Sequence, residues 1–147
     1  MKRVSVMIFA IVFLSGASPD AWATNVGGDA ARGEKVFKKC AACHTLESSK
    51  HRVGPTLLGV FGRLAGSTNG YKYSIDMKAA GEAGLIWSEK TLAEYIKKDG
   101  KSNPKAYIGS VIGKARANIK MAFPGLSKDQ DIADLIAFLK EKNAASN

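Results

Sequence analysis

The stretch CAACH, residues 40–44, holds both cysteines of the chain and one of its two histidines within five consecutive positions. Two thiols at that spacing serve three chemistries: a dithiol/disulfide redox pair, half of a zinc site, or thioether attachment of haem. Each needs a different setting, so the rest of the chain decides among them.

Met1, Lys2 and Arg3 precede an apolar run of eleven residues, Val4 to Leu14, and small and polar residues then lead to Ala21, Trp22 and Ala23. A basic start, a short apolar run and an A-x-A site describe a secretory signal peptide. Residues 1–23 are therefore expected to be removed, leaving a mature chain that begins at Thr24. The apolar run is short of the ~20 residues of a bilayer-spanning helix, which makes an uncleaved anchor the weaker reading. Export from a bacterial-type cytoplasm leads to the periplasm, an oxidising compartment where paired cysteines commonly form a structural disulfide. A bridge between Cys40 and Cys43 would close so small a loop that it would constrain little of the unfolded chain.

Residues 24–147 have the length of a single domain with one core. The whole chain carries a formal net charge of +9; without Lys2, Arg3 and Asp20, 20 basic residues face 12 acidic ones, a net of +8. That balance steers the protein toward acidic partners.

Asp29 is placed to cap a helix through AARGEKVFKKCAAC, with Val36, Phe37 and Cys40 on one face. From Thr45 to Tyr73 glycine and proline mix with Ser, Thr and Asn, the pattern of a long loop wrapped around something. Ser74 can cap a short helix through Ala80. Ser88 can cap EKTLAEYIKK, ended by Gly100, with Leu92, Tyr95 and Ile96 on one side. Asn103 and Pro104 form an N-cap and first-position pair. Ser127 and Gln130 read as a capping box before a helix whose Ile132, Leu135, Ile136 and Leu139 recur at i, i+3, i+4, i+7. No segment alternates with period two for long enough to predict a strand, so the expected class is all-α with long loops.

This setting separates the three chemistries. A zinc site needs four ligands, and beyond Cys40, Cys43 and His44 only His51 or a carboxylate remains to complete one. A redox dithiol belongs at the start of a helix in a βαβ context, which is missing here. Haem attachment uses every residue of the motif: two thiols bond the porphyrin edge and the adjacent imidazole binds iron. A large apolar ring also supplies core to a short, loop-rich chain.

With His44 on one axial position, the other decides the function: a second strong ligand makes an electron carrier, and an open site permits ligand binding or catalysis. The candidates in the mature chain are Met77, Met121 and His51. Met121 lies far along the chain from His44, in the apolar, turn-rich NIKMAFPGL. Met77 reads as core filler, and His51, among Ser48, Ser49, Lys50 and Arg52, as a solvated loop residue.

Over residues 28–141 the chain resembles the class I cytochromes c, most of all the bacterial cytochromes c2. The resemblance is carried in order by GEKVFKKCAACHTLE, VGPTLLGVFGR, GYKYS, GLIW, TLAEYI, NPKAYI and KMAFPGL. It implies a small haem-wrapped cytochrome c fold with crossed N- and C-terminal helices, Gly33 and Phe37 meeting Leu135 and Phe138. It implies one haem c on Cys40 and Cys43, with His44 and Met121 as axial ligands. By the same resemblance Pro55 fixes the His44 ring, Tyr95 bonds the Met121 sulfur, Arg63, Tyr73 and Trp87 surround the propionates, and Phe123 shields the haem edge. Two positions depart from the family pattern: Met77 stands for an asparagine and Ile119 for a threonine. The link 109–119, GSVIGKARANI, is of the longer type.

The implied function is a soluble periplasmic carrier of single electrons, not an enzyme, shuttling between a cytochrome bc1 complex and a reaction centre or terminal oxidase. No nucleic-acid binding, embedding in the membrane or oligomerisation is implied. A peroxidase or gas sensor with a labile methionine is the rival, and it would need polar distal groups absent from MAFPGL. Docking is expected through Lys38, Lys39, Lys97, Lys98, Lys114, Arg116 and Lys120.

Overall fold

The computed structural model describes residues 27–47 and 50–145, among which five helices are formed: α1 (Ala30–Ala41), α2 (Ile75–Glu82), α3 (Glu89–Ile96), α4 (Pro104–Val111) and α5 (Asp129–Ala144). The signal-peptide segment 1–23 and the expected start at Thr24 lie outside the described residues. Extended pairing among the described residues is limited to two isolated bridges, Leu64 with Ile86 and Lys97 with Leu126.

Four helices start where local chemistry puts them. The side chains of Asp29, Ser74, Ser88 and Asn103 each accept a backbone N–H from the first turn of α1 to α4, and Ser88 forms a reciprocal capping box with Thr91. The fifth start is a correction. α5 begins at Asp129 after Lys128, without a side-chain cap, and the expected Ser127–Gln130 box is not formed. Leu126 is held extended by bonds to Ile96 and Lys98, and the Gln130 amide donates instead to Asp134. Asp129 and Asp131 in the first turn supply the negative charge that suits a helix N-terminus.

The same bridge ends α3 early. The Ile96 carbonyl accepts the Leu126 N–H at 2.7 Å, so Lys97 turns extended and the helix stops at Ile96 rather than running toward Gly100. α1 ends at Ala41, and the N–H groups of Cys43 and His44 both fold back on the Cys40 carbonyl. α2 runs two residues past Ala80.

The most extensive helix pair is α1 with α5. A Cβ at Gly33 would lie 2.0 Å from the Asp134 carbonyl oxygen, so only glycine allows this crossing. Phe37 and Phe138 pack beside it at 5.2 Å between ring centroids. Asp134, almost fully buried, accepts from the Asp29 N–H, the Arg32 guanidinium and Gln130. Buried apolar residues of all five helices, Val36, Ala80, Leu92, Ile108 and Leu135 among them, belong to one hydrophobic cluster. Between α1 and α2 the described residues from Ala42 to Ser74 form no helix and are pinned by bonds such as Tyr71 to Val53 and His51 to Asn69.

Candidate functional site

Cys40 sits in the last turn of α1, and the tightening turn after it delivers Cys43 and His44 to the edge of the core. A helix C-terminus does not stabilise a thiolate. Burial pushes the Cys40 thiol up to about 11, the reverse of an activated redox cysteine. The two sulfurs are not joined to each other.

Behind them opens a cavity of about 330 Å³, lined mostly by apolar atoms. All nine residues singled out in the sequence line it: Cys40, Cys43, His44, Pro55, Arg63, Tyr73, Trp87, Tyr95 and Met121. Met77, Ile119 and Phe123 line it as well, and His51 does not. A larger groove of about 780 Å³ between α3 and α5 holds none of the nine.

His44 is aimed by its neighbours. Its Nδ1 lies 2.7 Å from the Pro55 carbonyl, which can only accept, so Nδ1 carries the proton and Nε2 keeps its lone pair. Burial lowers the His44 pKa, the Pro55 bond opposes that shift and the Arg63 charge adds to it. The balance favours the neutral, ligating form. Against the same ring lies Gly54, where an added Cβ would come within 2.5 Å of His44 Cε1.

Met121 is held through its sulfur. The Tyr95 hydroxyl donates to it at 3.3 Å, and burial pushes the Tyr95 phenol far above its usual range, which keeps the donor protonated. Trp87 packs on Tyr95 at 4.9 Å between centroids. Arg63 donates to the Thr56 and Leu58 carbonyls, which fixes its cation at the cavity wall, and Tyr73 donates to Thr68.

His51 is occupied elsewhere: one ring nitrogen lies 2.8 Å from the Asn69 carbonyl and the other accepts the Thr56 N–H. Two site residues escaped the sequence reading. Gly54 stands in VGPTLLGVFGR and Tyr71, whose ring lies 5.9 Å beneath Lys120 Nζ, in GYKYS, but neither has an individual role legible in those stretches.

The donor set fits a c-type haem: two thiols, a neutral imidazole with a free Nε2, a thioether sulfur and an apolar enclosure. Gly54 marks where a side chain would spoil the imidazole's seat.

The expected lysine surface is altered in detail. Lys39 pairs with Asp131, Lys97 with Asp129 and Lys114 with Asp76, and Lys120 bonds the Lys72 carbonyl. Lys38, Lys98 and Arg116 are exposed.

The Cytochrome c family matches residues 30–142. The chain is 45% identical over 111 residues to a cytochrome c2 of Afifella marina, covering 75% of this chain and 79% of that one. It is 46% identical over 119 residues to a cytochrome c of Gossypium barbadense, covering 80% and 93%. Among solved structures, cytochrome c2 of Rhodospirillum centenum superposes with a TM-score of 0.69 at 39% identity, over 78% of this chain and 98% of that one. That of Paracoccus denitrificans gives 0.69 at 35%, over 80% and 98%. The chain therefore belongs to the cytochrome c family, as a cytochrome c2-like electron carrier with the small all-α fold and the covalently attached haem c of that family.

Proposed function

We propose that the protein is a periplasmic single-haem carrier in which Cys40 and Cys43 hold the haem and His44 and Met121 ligate its iron. The observation that carries this is the sharing of one apolar cavity by His44 and Met121, each fixed through another contact, Pro55 for the imidazole and Tyr95 for the sulfur. The bound haem supplies a one-electron couple. The chain's residues set how that couple is held.

Pro55 keeps the imidazole oriented and its Nε2 free, and such bonds raise ligand basicity. The Met121 thioether favours the reduced metal. Arg63, Tyr73 and Trp87, which line the cavity, would hold the acidic edge of the ring, with Arg63 supplying the compensating charge. Apolar walls from Ile119, Met77 and Leu139 exclude water from the centre. Electron transfer then requires no bond making by the protein.

Residues 1–23 act as an export signal, and 24–147 form one monomeric domain. No helix among the described residues is long and apolar enough to cross a membrane. The protein docks transiently on membrane complexes, a cytochrome bc1 complex as donor and a reaction centre or terminal oxidase as acceptor. Its net charge supports electrostatic steering.

The test is electron transfer from the reduced protein to membranes of its source, measured against salt. Transfer should slow steeply as ionic strength rises toward ~0.1 M, where screening acts beyond roughly 10 Å. Lys38→Glu with Lys98→Glu should slow it without moving the reduction potential. Rates indifferent to both salt and these charges would contradict electrostatic docking, and membranes that take no electrons would contradict the carrier role.

A further inference from the structure

Asp76, in the first turn of α2, is a buried carboxylate whose partners lie about forty positions further along the chain. One of its oxygens accepts from Lys114 Nζ at 2.7 Å and the other accepts the backbone N–H of Asn118 at 2.6 Å. Both partners belong to the link 109–119, and Asn118 stands three residues before Met121.

The backbone around Met121 has few other restraints. Lys114 N–H bonds the Gly109 carbonyl and Ala117 N–H bonds the Lys105 carbonyl, which ties the link to α4. The next backbone pairing is at Leu126, with Ile96 and Lys98. Between Asn118 and Leu126 no backbone–backbone hydrogen bond is formed among the described residues, so the segment bearing Met121 is strung between the Asp76 carboxylate and the Leu126 bridge. Side chains add Tyr95 to the Met121 sulfur, Lys120 to the Lys72 carbonyl, and the burial of Ile119.

We propose that Asp76 is a positioning residue for Met121: by holding Lys114 and the Asn118 N–H, it latches the link 109–119 to α2 and makes displacement of Met121 from the iron costly. This rests on the reading of Met121 as the axial ligand. Hydrogen bonds to an ionised acceptor are the strong kind, and a buried carboxylate that loses a donor is penalised. Opening the segment at Asn118 gives up that bond and leaves the buried Asp76 carboxylate with Lys114 alone. Asp76 adjoins Met77, which lines the same cavity, so the latch is built on an element already packed at the site.

The test is an imidazole titration of the ferric holoprotein, because added imidazole binds only when Met121 leaves. Asp76→Ala should raise imidazole affinity by about tenfold, with smaller rises for Asp76→Asn, which keeps an acceptor, and Lys114→Gln, which keeps the Asn118 bond. In a Met121→Ala background, where no sulfur remains to be displaced, Asp76→Ala should change the affinity by less than about twofold, the non-additivity of coupled sites. Unchanged affinity in all three single variants, or equal gains with and without Met121, would overturn the latch. Should Met121→Ala itself leave imidazole affinity unaltered, the ligand assignment falls and the latch with it, an outcome distinguishable from failure of the latch alone.

Discussion

The hydroxyl of Tyr95 in α3 donates to the sulfur of Met121, 26 positions further along the chain, at 3.3 Å. A donor on a thioether draws electron density from it and so weakens its donation to the more highly charged metal state. Tyr95→Phe should therefore lower the reduction potential. A bond worth ~0.5–1.5 kcal/mol at 59 mV per tenfold for one electron corresponds to a fall of about 20–60 mV. Potentiometric titration of the two proteins measures it, and an unchanged potential would mean that the bond does not reach the metal.

Gly54 should tolerate no side chain. A Cβ there would stand 2.5 Å from His44 Cε1, so either the ring or the loop carrying Pro55 must move. Gly54→Ala should weaken the His44–Pro55 bond and give a ferric spectrum of mixed ligation, with a stability loss of about 1–3 kcal/mol, the range for overpacking. A wild-type spectrum and denaturation midpoint would show that the loop yields freely.

The residues that were legible in the sequence act locally or carry a specific motif. Asp29, Ser74, Ser88 and Asn103 cap helices two or three residues away, and CAACH concentrates its chemistry in five positions. Ser127 and Gln130 had the same local signature and failed, because Leu126 is claimed by α3 and Gln130 by Asp134. Asp76 and Asp134 carry no local signal in the sequence, since their partners lie 38 to 42 and as many as 105 positions away. Four of the seven cations expected to form an open docking face are engaged by ion pairs or a carbonyl for the same reason.

Asp134 makes stability depend on acid. Its hydrogen bond with Arg32, and those with the Asp29 N–H and Gln130, hold its carboxyl well below the usual carboxylate range against the opposing effect of burial. A depressed folded-state pKa contributes stability that is present in full above the unfolded value of about 4 and is lost as pH falls below it. Asp134→Asn should cost about 1–3 kcal/mol at neutral pH by loosening the α1–α5 crossing. It should also flatten the loss of stability below pH about 4. Denaturant titrations at a series of pH values check both, and parallel acid limbs for the two proteins would contradict the assignment.

Haem held through Cys40 and Cys43 should stay with the polypeptide in acid-acetone, which extracts non-covalent haem. The double replacement Cys40→Ala, Cys43→Ala should leave a largely unfolded chain by circular dichroism, because the core loses the apolar body that its cavity encloses. Release of free haem from the unaltered protein would contradict thioether attachment.

The ligation itself is the centre of the account, and the near-infrared sulfur-to-iron band of the ferric protein reports it most directly. The band should be present in the unaltered protein, absent in Met121→Ala, and retained in Met77→Leu and His51→Ala. A band that survives Met121→Ala, or that disappears with Met77 or His51 instead, would contradict the assignment of Met121 opposite His44.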